Sequence, residues 1–224
     1  MSSVKIAAVS DVHSPRFLNE FKVALQKCEP PDVFLFAGDM INRGKVDEYA
    51  LVLDLLDSHL GSDFPVIACF GNEEPVTCRE DLHLMTEDRV TFLDEKFVTL
   101  DISGSRIAIA GISTVYEPTN EYLSESVTEI RVNFEERSKR LSFLLHDASK
   151  RADSVALLMH FSPLSATNSS EFSWWVSRAI EENPPSHIIH GHVHDSTRND
   201  MKLGSIVIRN VALPATGSIT EMNL

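Results

Sequence analysis

Short apolar runs that lack the polar residue at every second position alternate with segments of helical period, and this alternation restricts the chain to one fold class. Val4 to Val9, Val33 to Ala37 and Pro65 to Phe70 read as strands of this kind. Strands without a solvated side are buried on both faces, as in a parallel sheet covered by helices. Between them, Phe17 to Cys28 carries Phe17, Phe21, Ala24, Leu25 and Cys28 at helical spacing. Val46 to Leu60 places Leu51, Leu55 and Leu56 on one face and stops at Gly61. The order is β-α-β-α-β.

The second half is less regular. Val90 to Leu93, Phe97 to Ile102 and Arg106 to Ala110 read as shorter strands, the last two joined by Ser103-Gly104-Ser105 as a hairpin. A loop is expected from Ile112 to Ser126, then the longest helix, Val127 to Ala152. Val155 to Met159 is another buried strand and ends at His160. A Ser-rich loop over Phe161 to Ser170 leads to a helix over Trp174 to Glu182, a strand at His187 to His190, and an antiparallel pair between Ile206 and Ile219. With no repeat or linker, a single domain over residues 1–224 is expected.

Charge bears on partners. The chain has 20 Lys and Arg against 33 Asp and Glu, a formal charge of −13. Such a surface repels polyanions, which disfavours non-specific nucleic-acid binding and an anionic membrane. A small phosphorylated substrate stays compatible with it if the pocket supplies positive charge of its own. Cys28, Cys69 and Cys78 form no Cys-x-x-Cys pair, so reduced thiols and a cytoplasmic location are expected. No apolar run has the length of a bilayer span, and the N-terminal stretch is too short for a signal peptide. The oligomeric state is left open.

The polar residues that call for an explanation stand where the strands stop. The first strand ends in Ser10-Asp11-Val12-His13, the second in Gly38-Asp39 and the third in Gly71-Asn72-Glu73-Glu74. A later strand ends in His160, and another in Gly191-His192-Val193-His194. Carboxyl ends of parallel strands share one edge of a sheet, where ligands bind. Asp, His and the Asn carbonyl suit divalent cations of the hard-to-borderline kind. On an extended backbone, Asp11 and His13 project to one side, as do His192 and His194. One carboxylate such as Asp39 can bridge two ions through its two oxygens, and two ions about 3.5–4 Å apart can hold a hydroxide and clamp phosphate oxygens.

The series Asp-Val-His (11–13), Gly-Asp (38–39), Gly-Asn-Glu-Glu (71–74), His160 and Gly-His-Val-His (191–194) resembles the calcineurin-like metallophosphoesterases. The resemblance implies an α/β fold, a four-layer αββα sandwich with two mixed β-sheets. It also implies two divalent metal ions, of Mn, Fe, Zn, Ni or Mg type. Asp11, His13 and His194 would hold the first and Asn72, His160 and His192 the second, with Asp39 as the bridge. The implied activity is hydrolysis of phosphodiesters, or of phosphomonoesters, by a metal-bridged hydroxide, with His160 or Glu73 assisting proton transfer.

Glu73 departs from the family, which places a histidine there. It reads in one of two ways: as a protonated acid or a group turned away from phosphate, in an enzyme suited to diesters or good leaving groups, or as the mark of weak catalysis at a site kept for binding. Arg43, in GDMINRG, reads either as a phosphate ligand or as a turn arginine paired with Asp47 or Glu48. His190 is expected to lie in the core or to orient a ligand, and Asn210 to be structural. His59, His83, His146 and His187 carry no motif. Trp174 and Trp175 are expected in the core, and the segments NSSEFSWW and Ile112 to Ser126 to face substrate. Two other functions fit the same fold, a non-catalytic scaffold and a DNA nuclease. The complete ligand series opposes the first and the acidic charge the second.

Overall fold

A computed structural model describes residues 3–113, 127–163 and 174–224. Its elements are β1 (Lys5–Val9), α1 (Leu18–Leu25), β2 (Val33–Ala37), α2 (Asp47–Leu60), β3 (Val66–Cys69), α3 (Val76–Thr86), β4 (Val90–Phe92), β5 (Lys96–Ile102) and β6 (Ser105–Ile112). There follow α4 (Val127–Ser149), β7 (Ser154–Met159), α5 (Trp174–Glu182), β8 (His187–His190), β9 (Asp200–Leu203), β10 (Ile206–Asn210), α6 (Leu213–Thr216) and β11 (Thr220–Asn223).

Two sheets face each other. The first has the order β11-β1-β2-β3-β4, and the second β5-β6-β7-β8-β10-β9. β1 to β4 are parallel, with β11 antiparallel beside β1. In the second sheet β6, β7, β8 and β10 are parallel, flanked by antiparallel β5 and β9.

Strand periodicity explains why these strands carry no polar stripe. In β1 and β2, Ile6, Ala8, Leu35 and Ala37 pack with Ile107, Ile109, Ala156, Leu158 and Ile189 of the other sheet. Their neighbours Ala7, Val9, Phe34 and Phe36 pack with Phe21, Tyr49, Val52, Leu56 and Leu82 of α1, α2 and α3. The second sheet's outer face, with Ala108, Ala110, Leu157 and Ile188, takes Leu141, Leu145, Val176 and Ala179 of α4 and α5. Three apolar interiors separate four layers, so the central strands β1, β2, β3 and β7 are dry on both faces. Each large side chain withdrawn from water there contributes about 1.5–3 kcal/mol.

Several sequence expectations need correction. Helix α3 is not foreseen, because its apolar positions are few and only Cys78, Leu82 and Thr86 are buried. On α2 the buried face is Tyr49, Val52, Leu56 and Leu60, while Leu51 is exposed. The antiparallel pair placed between Ile206 and Ile219 is also different. β10 pairs with β9 and with parallel β8, whereas β11 crosses to the first sheet and pairs with β1. Among the described residues, no helix is long and apolar enough to cross a membrane.

Candidate metal centre

β1, β2 and β3 end at one edge of the first sheet, and β7 and β8 end at the facing edge of the second. Backbone bonds lace the outgoing loops together. Asp11 N–H donates to Gly38 O at 3.1 Å, and His13 N–H to Asp39 O at 3.0 Å. Across the sheets, Ser10 N–H donates to Val211 O at 3.1 Å, and at the edge of the second sheet Gly191 N–H donates to His160 O at 2.9 Å.

Close approach depends on glycine at two points. A Cβ on Gly71 would lie 2.6 Å from Asp39 N and closer still to Asp39 Oδ1, and one on Gly191 would lie 2.5 Å from Asp11 Oδ2. The Asp39 and Asp11 carboxylates therefore occupy the space that any other residue would fill. Asp11, His13, Asp39 and His192 all have positive φ, at 60, 44, 54 and 69°. This corrects the extended-chain expectation for the two Asp/His-x-His pairs. The left-handed region costs a non-glycine residue about 1–3 kcal/mol and persists only where neighbouring contacts enforce it.

The donors collect in two groups. Asp11, His13 and His194 form one, and Asp39, His160 and His192 the other. His13 Nε2 is 3.4 Å from His194 Nε2, and Asp11 Oδ1 is 2.8 Å from His194 Nε2 and 3.5 Å from His13 Nε2. In the second group His160 Nε2 is 3.2 Å from Asp39 Oδ2 and 3.2 Å from Asn72 Oδ1. Asp39 Oδ2 is also 3.8 Å from His13 Nε2. Donors sharing an ion at about 2.0–2.2 Å stand about 3–3.5 Å apart. The spacing fits that requirement. Only Oδ2 of Asp39 faces both groups, since Oδ1 accepts the Glu73 N–H at 2.8 Å.

Electrostatics agree with a site built for cations. Burial favours the neutral form of Asp11, yet hydrogen bonds from His13 and His194 outweigh it and hold the carboxyl well below its usual range. Burial disfavours charged His160, yet Asp39 beside it raises the pKa to about 10. In His192, burial and the nearby His160 lower it to about 4. His160 donates Nδ1–H to Ala37 O at 2.9 Å, which fixes the tautomer that leaves Nε2 as a ligand nitrogen. Two carboxylates thus confront four imidazoles whose free nitrogens face one another, a donor set that fits a pair of divalent cations.

The sequence does not single out Glu74. Its carboxylate is 1% exposed and accepts N–H bonds from Asp39 at 2.9 Å, Met40 at 2.6 Å, Ile41 at 3.3 Å and Gly71 at 2.7 Å. Burial and the Asp39 charge raise its pKa to about 7 against the pull of those donors. An acidic residue beside the motif that follows an apolar strand is the one available signal. Asn210 donates to Val193 O at 2.8 Å and to Asn199 Oδ1 at 3.1 Å, which ties down the loop between His192 and His194.

Glu73 Oε2 accepts the Arg43 N–H at 2.6 Å, so its carboxylate is turned towards the loop after β2. Arg43 is exposed and forms no ion pair among the described residues, while Glu48 accepts the Ser14 hydroxyl at 2.7 Å. His190 is buried and donates Nδ1–H to Gly191 O at 2.9 Å. Trp175 lies in the core at 2% exposure. Residues 114–126 and 164–173, which include most of the two segments expected to face substrate, lie outside the described residues, as does the Trp174 side chain.

Comparison with known proteins follows the same lines. The family described as calcineurin-like phosphoesterase matches residues 4–196. No curated protein sequence matches the chain. Among solved structures, TT1561 of Thermus thermophilus shares 15% identity at a TM-score of 0.60, with 99% of each chain covered. GAP50, described as the anchor in the inner membrane complex of Plasmodium, shares 13% at 0.59, over 96% of this chain and 73% of its own. The Thermus thermophilus sulfate thiohydrolase SoxB shares 16% at 0.54, over 85% of this chain and 38% of its own. At these identities the likeness is one of fold.

Proposed function

Because the chain belongs to the calcineurin-like phosphoesterase family, we propose that it is a two-metal hydrolase of phosphate esters that favours phosphodiesters. The observation that carries this reading is Asp39 Oδ2, which lies 3.2 Å from His160 Nε2 and 3.8 Å from His13 Nε2 and so faces both donor groups. Asp11, His13 and His194 are assigned to one cation. Asn72, His160 and His192 are assigned to the other, and Asp39 to both. What the cations supply when bound is charge neutralisation at the phosphoryl oxygens and a water acidic enough to ionise near neutral pH.

The protein's part is positioning. Asp11 and Asp39 are held by backbone N–H groups and by the close glycines, so the donors need no rearrangement to receive their ligands. Asn72 and His192 are exposed and form the side from which substrate enters. Arg43 is assigned to a substrate phosphate. Glu73 shapes the Arg43 loop, and the absence of the family's histidine supports diesters or good leaving groups. The three free cysteines support a cytoplasmic site of action, and the −13 charge supports a small phosphorylated substrate over nucleic acid.

The test is turnover of bis(4-nitrophenyl) phosphate by the purified chain with manganese. The wild type is expected to hydrolyse it, and Asp39→Ala to fall to the uncatalysed rate with its far-UV circular dichroism unchanged. Equal turnover by both proteins would refute the assignment.

A further inference from the structure

Four strands end the two sheets, and each leaves one row of backbone N–H and C=O groups without a neighbouring strand. Proteins keep such edges short or charged, because an open edge is a template for another strand. β4, β9 and β11 follow that rule, with three or four residues each. β5 does not. It runs for seven residues and none of them is buried, whereas seven of the eight residues of its neighbour β6 are. Phe97 rests on the outer core, and Val98, Leu100 and Ile102 rest on the core between the sheets, each only partly covered.

The β5–β6 register fixes which groups line the free edge. Arg106 of β6 turns its backbone to the far side, donating N–H to Asp153 Oδ2 at 3.0 Å and accepting the Asp153 N–H at 2.8 Å. Its partner across the ladder is Asp101. Opposed residues of an antiparallel pair either exchange both bonds or both turn away, so Asp101 points its N–H and C=O outwards. With a period of two, Thr99 and Phe97 do the same. The backbone groups of these three residues have no partner among the described residues.

Charge around this edge differs from that of the chain as a whole. Arg106, Lys150 and Arg151 line one hollow with Asp101 and Asp153. Lys96 opens the strand, and Asp147 pairs with Arg151 at 3.0 Å, which makes four cations against three carboxylates. The whole chain carries −13. A second copy is repelled by the average face of this protein and is not repelled here.

We propose that β5 pairs with β5 of a second copy, antiparallel about a two-fold axis at Thr99, and joins the six-stranded sheets of the two copies into one. Outward groups must oppose outward groups, which leaves only every second register. Centred on Thr99, the pairing engages all seven residues. Thr99 faces Thr99, Val98 faces Leu100 in both directions, and Lys96 lays its stem beside Ile102 of the other copy. Phe97 faces Asp101. Arg151 lies 5.6 Å over its own Phe97 ring and so comes next to that Asp101, whose own Arg106 holds it at 2.6 Å. Moving the axis to Val98 would set Glu95 against Asp101, and moving it to Leu100 would set Lys96 and Phe97 against the Ser103-Gly104 turn. The two-fold axis sends the candidate metal centres to opposite ends of the joined sheet, so both stay open.

Sedimentation velocity of the purified full chain over a range of concentrations, paired with hydrogen exchange across Lys96–Ile102, tests the pairing. The wild type is expected to be a dimer at about 100 µM and to dissociate on dilution, as interfaces of modest size do. Exchange across β5 is expected to slow as the dimer forms. Thr99 is exposed, so Thr99→Lys is expected to keep its circular dichroism while setting two ammonium groups face to face on the axis. It should weaken dimerisation at least about 100-fold. Arg151→Glu, which sets an acid beside Asp101 across the seam, should weaken it about fivefold. A chain that stays monomeric up to about 1 mM overturns the inference and leaves the edge to a strand of another protein. A dimer as tight in Thr99→Lys as in the wild type also overturns it, as does a dimer whose β5 amides exchange at the monomer's rate.

Discussion

The floor and the rim of the candidate centre are built differently. At the floor, Asp11, Asp39 and His160 are at most 1% exposed and their polar atoms are bonded to backbone from neighbouring loops. At the rim, Asn72 and His192 are exposed, and the His194 side chain is 37% exposed. A buried carboxylate with fixed partners cannot reorient, so under the proposed function the floor sets where cations sit. An exposed imidazole can turn without breaking the core, so the rim admits ligands. Rigidity belongs beneath the chemistry and freedom above it.

Substitutions can break that contrast at graded cost. The largest effect is expected at the floor, where Asp39→Ala should remove both turnover and manganese binding, read by activity and by metal analysis of the purified variant. His194→Ala at the rim should weaken one cation and leave the other, so a variant that loses both would erase the distinction. Next comes the brace beneath the floor. Glu74→Gln puts an amide among four N–H donors, where one end must face a donor of its own kind. A loss of about 3 kcal/mol or more in urea unfolding is expected, with weakened metal binding.

Acidity sharpens the comparison further. Burial lowers the pKa of His190 from 6.5 to about 4, so this imidazole is neutral in the folded protein. A base with a depressed folded pKa contributes stability that is present above 6.5 and is lost as pH falls towards 4. Between pH 6.5 and 5 the metal-free wild type should therefore lose about 2 kcal/mol more than His190→Leu does, measured by urea unfolding at each pH. Equal slopes would place His190 outside the buried layer. The smallest effect is expected at Asn210→Ala, which frees Val193 O and loosens the rim loop. Metal affinity should fall about tenfold with little change in stability.

The two regions also differed in how far the sequence revealed them. Floor and rim donors stand at the ends of apolar strands, and strand ends are visible because a dry strand has a distinct composition. The structure brings all seven of those side chains to one edge. Glu74 stayed hidden because a carboxylate that binds backbone N–H groups leaves no pattern in side-chain types. The same holds for the orientation of the Asp39 carboxylate, whose Oδ1 accepts a backbone donor, Glu73 N–H. The left-handed turns at Asp11, His13, Asp39 and His192 were likewise invisible, since only tertiary contacts hold such residues there. In the fold, β11 and its partner are not legible in the sequence. Its short TEMN run carries no sign of which sheet edge is free, and that is settled by pairing with β1.

Anomalous scattering from a manganese-soaked crystal tests the central claim most directly. Two peaks about 3.5–4 Å apart are predicted. One should touch Asp11, His13 and His194, the other Asn72, His160 and His192, and Asp39 Oδ2 should contact both. Peaks bound elsewhere, or these seven side chains in contact with no peak, would contradict the account.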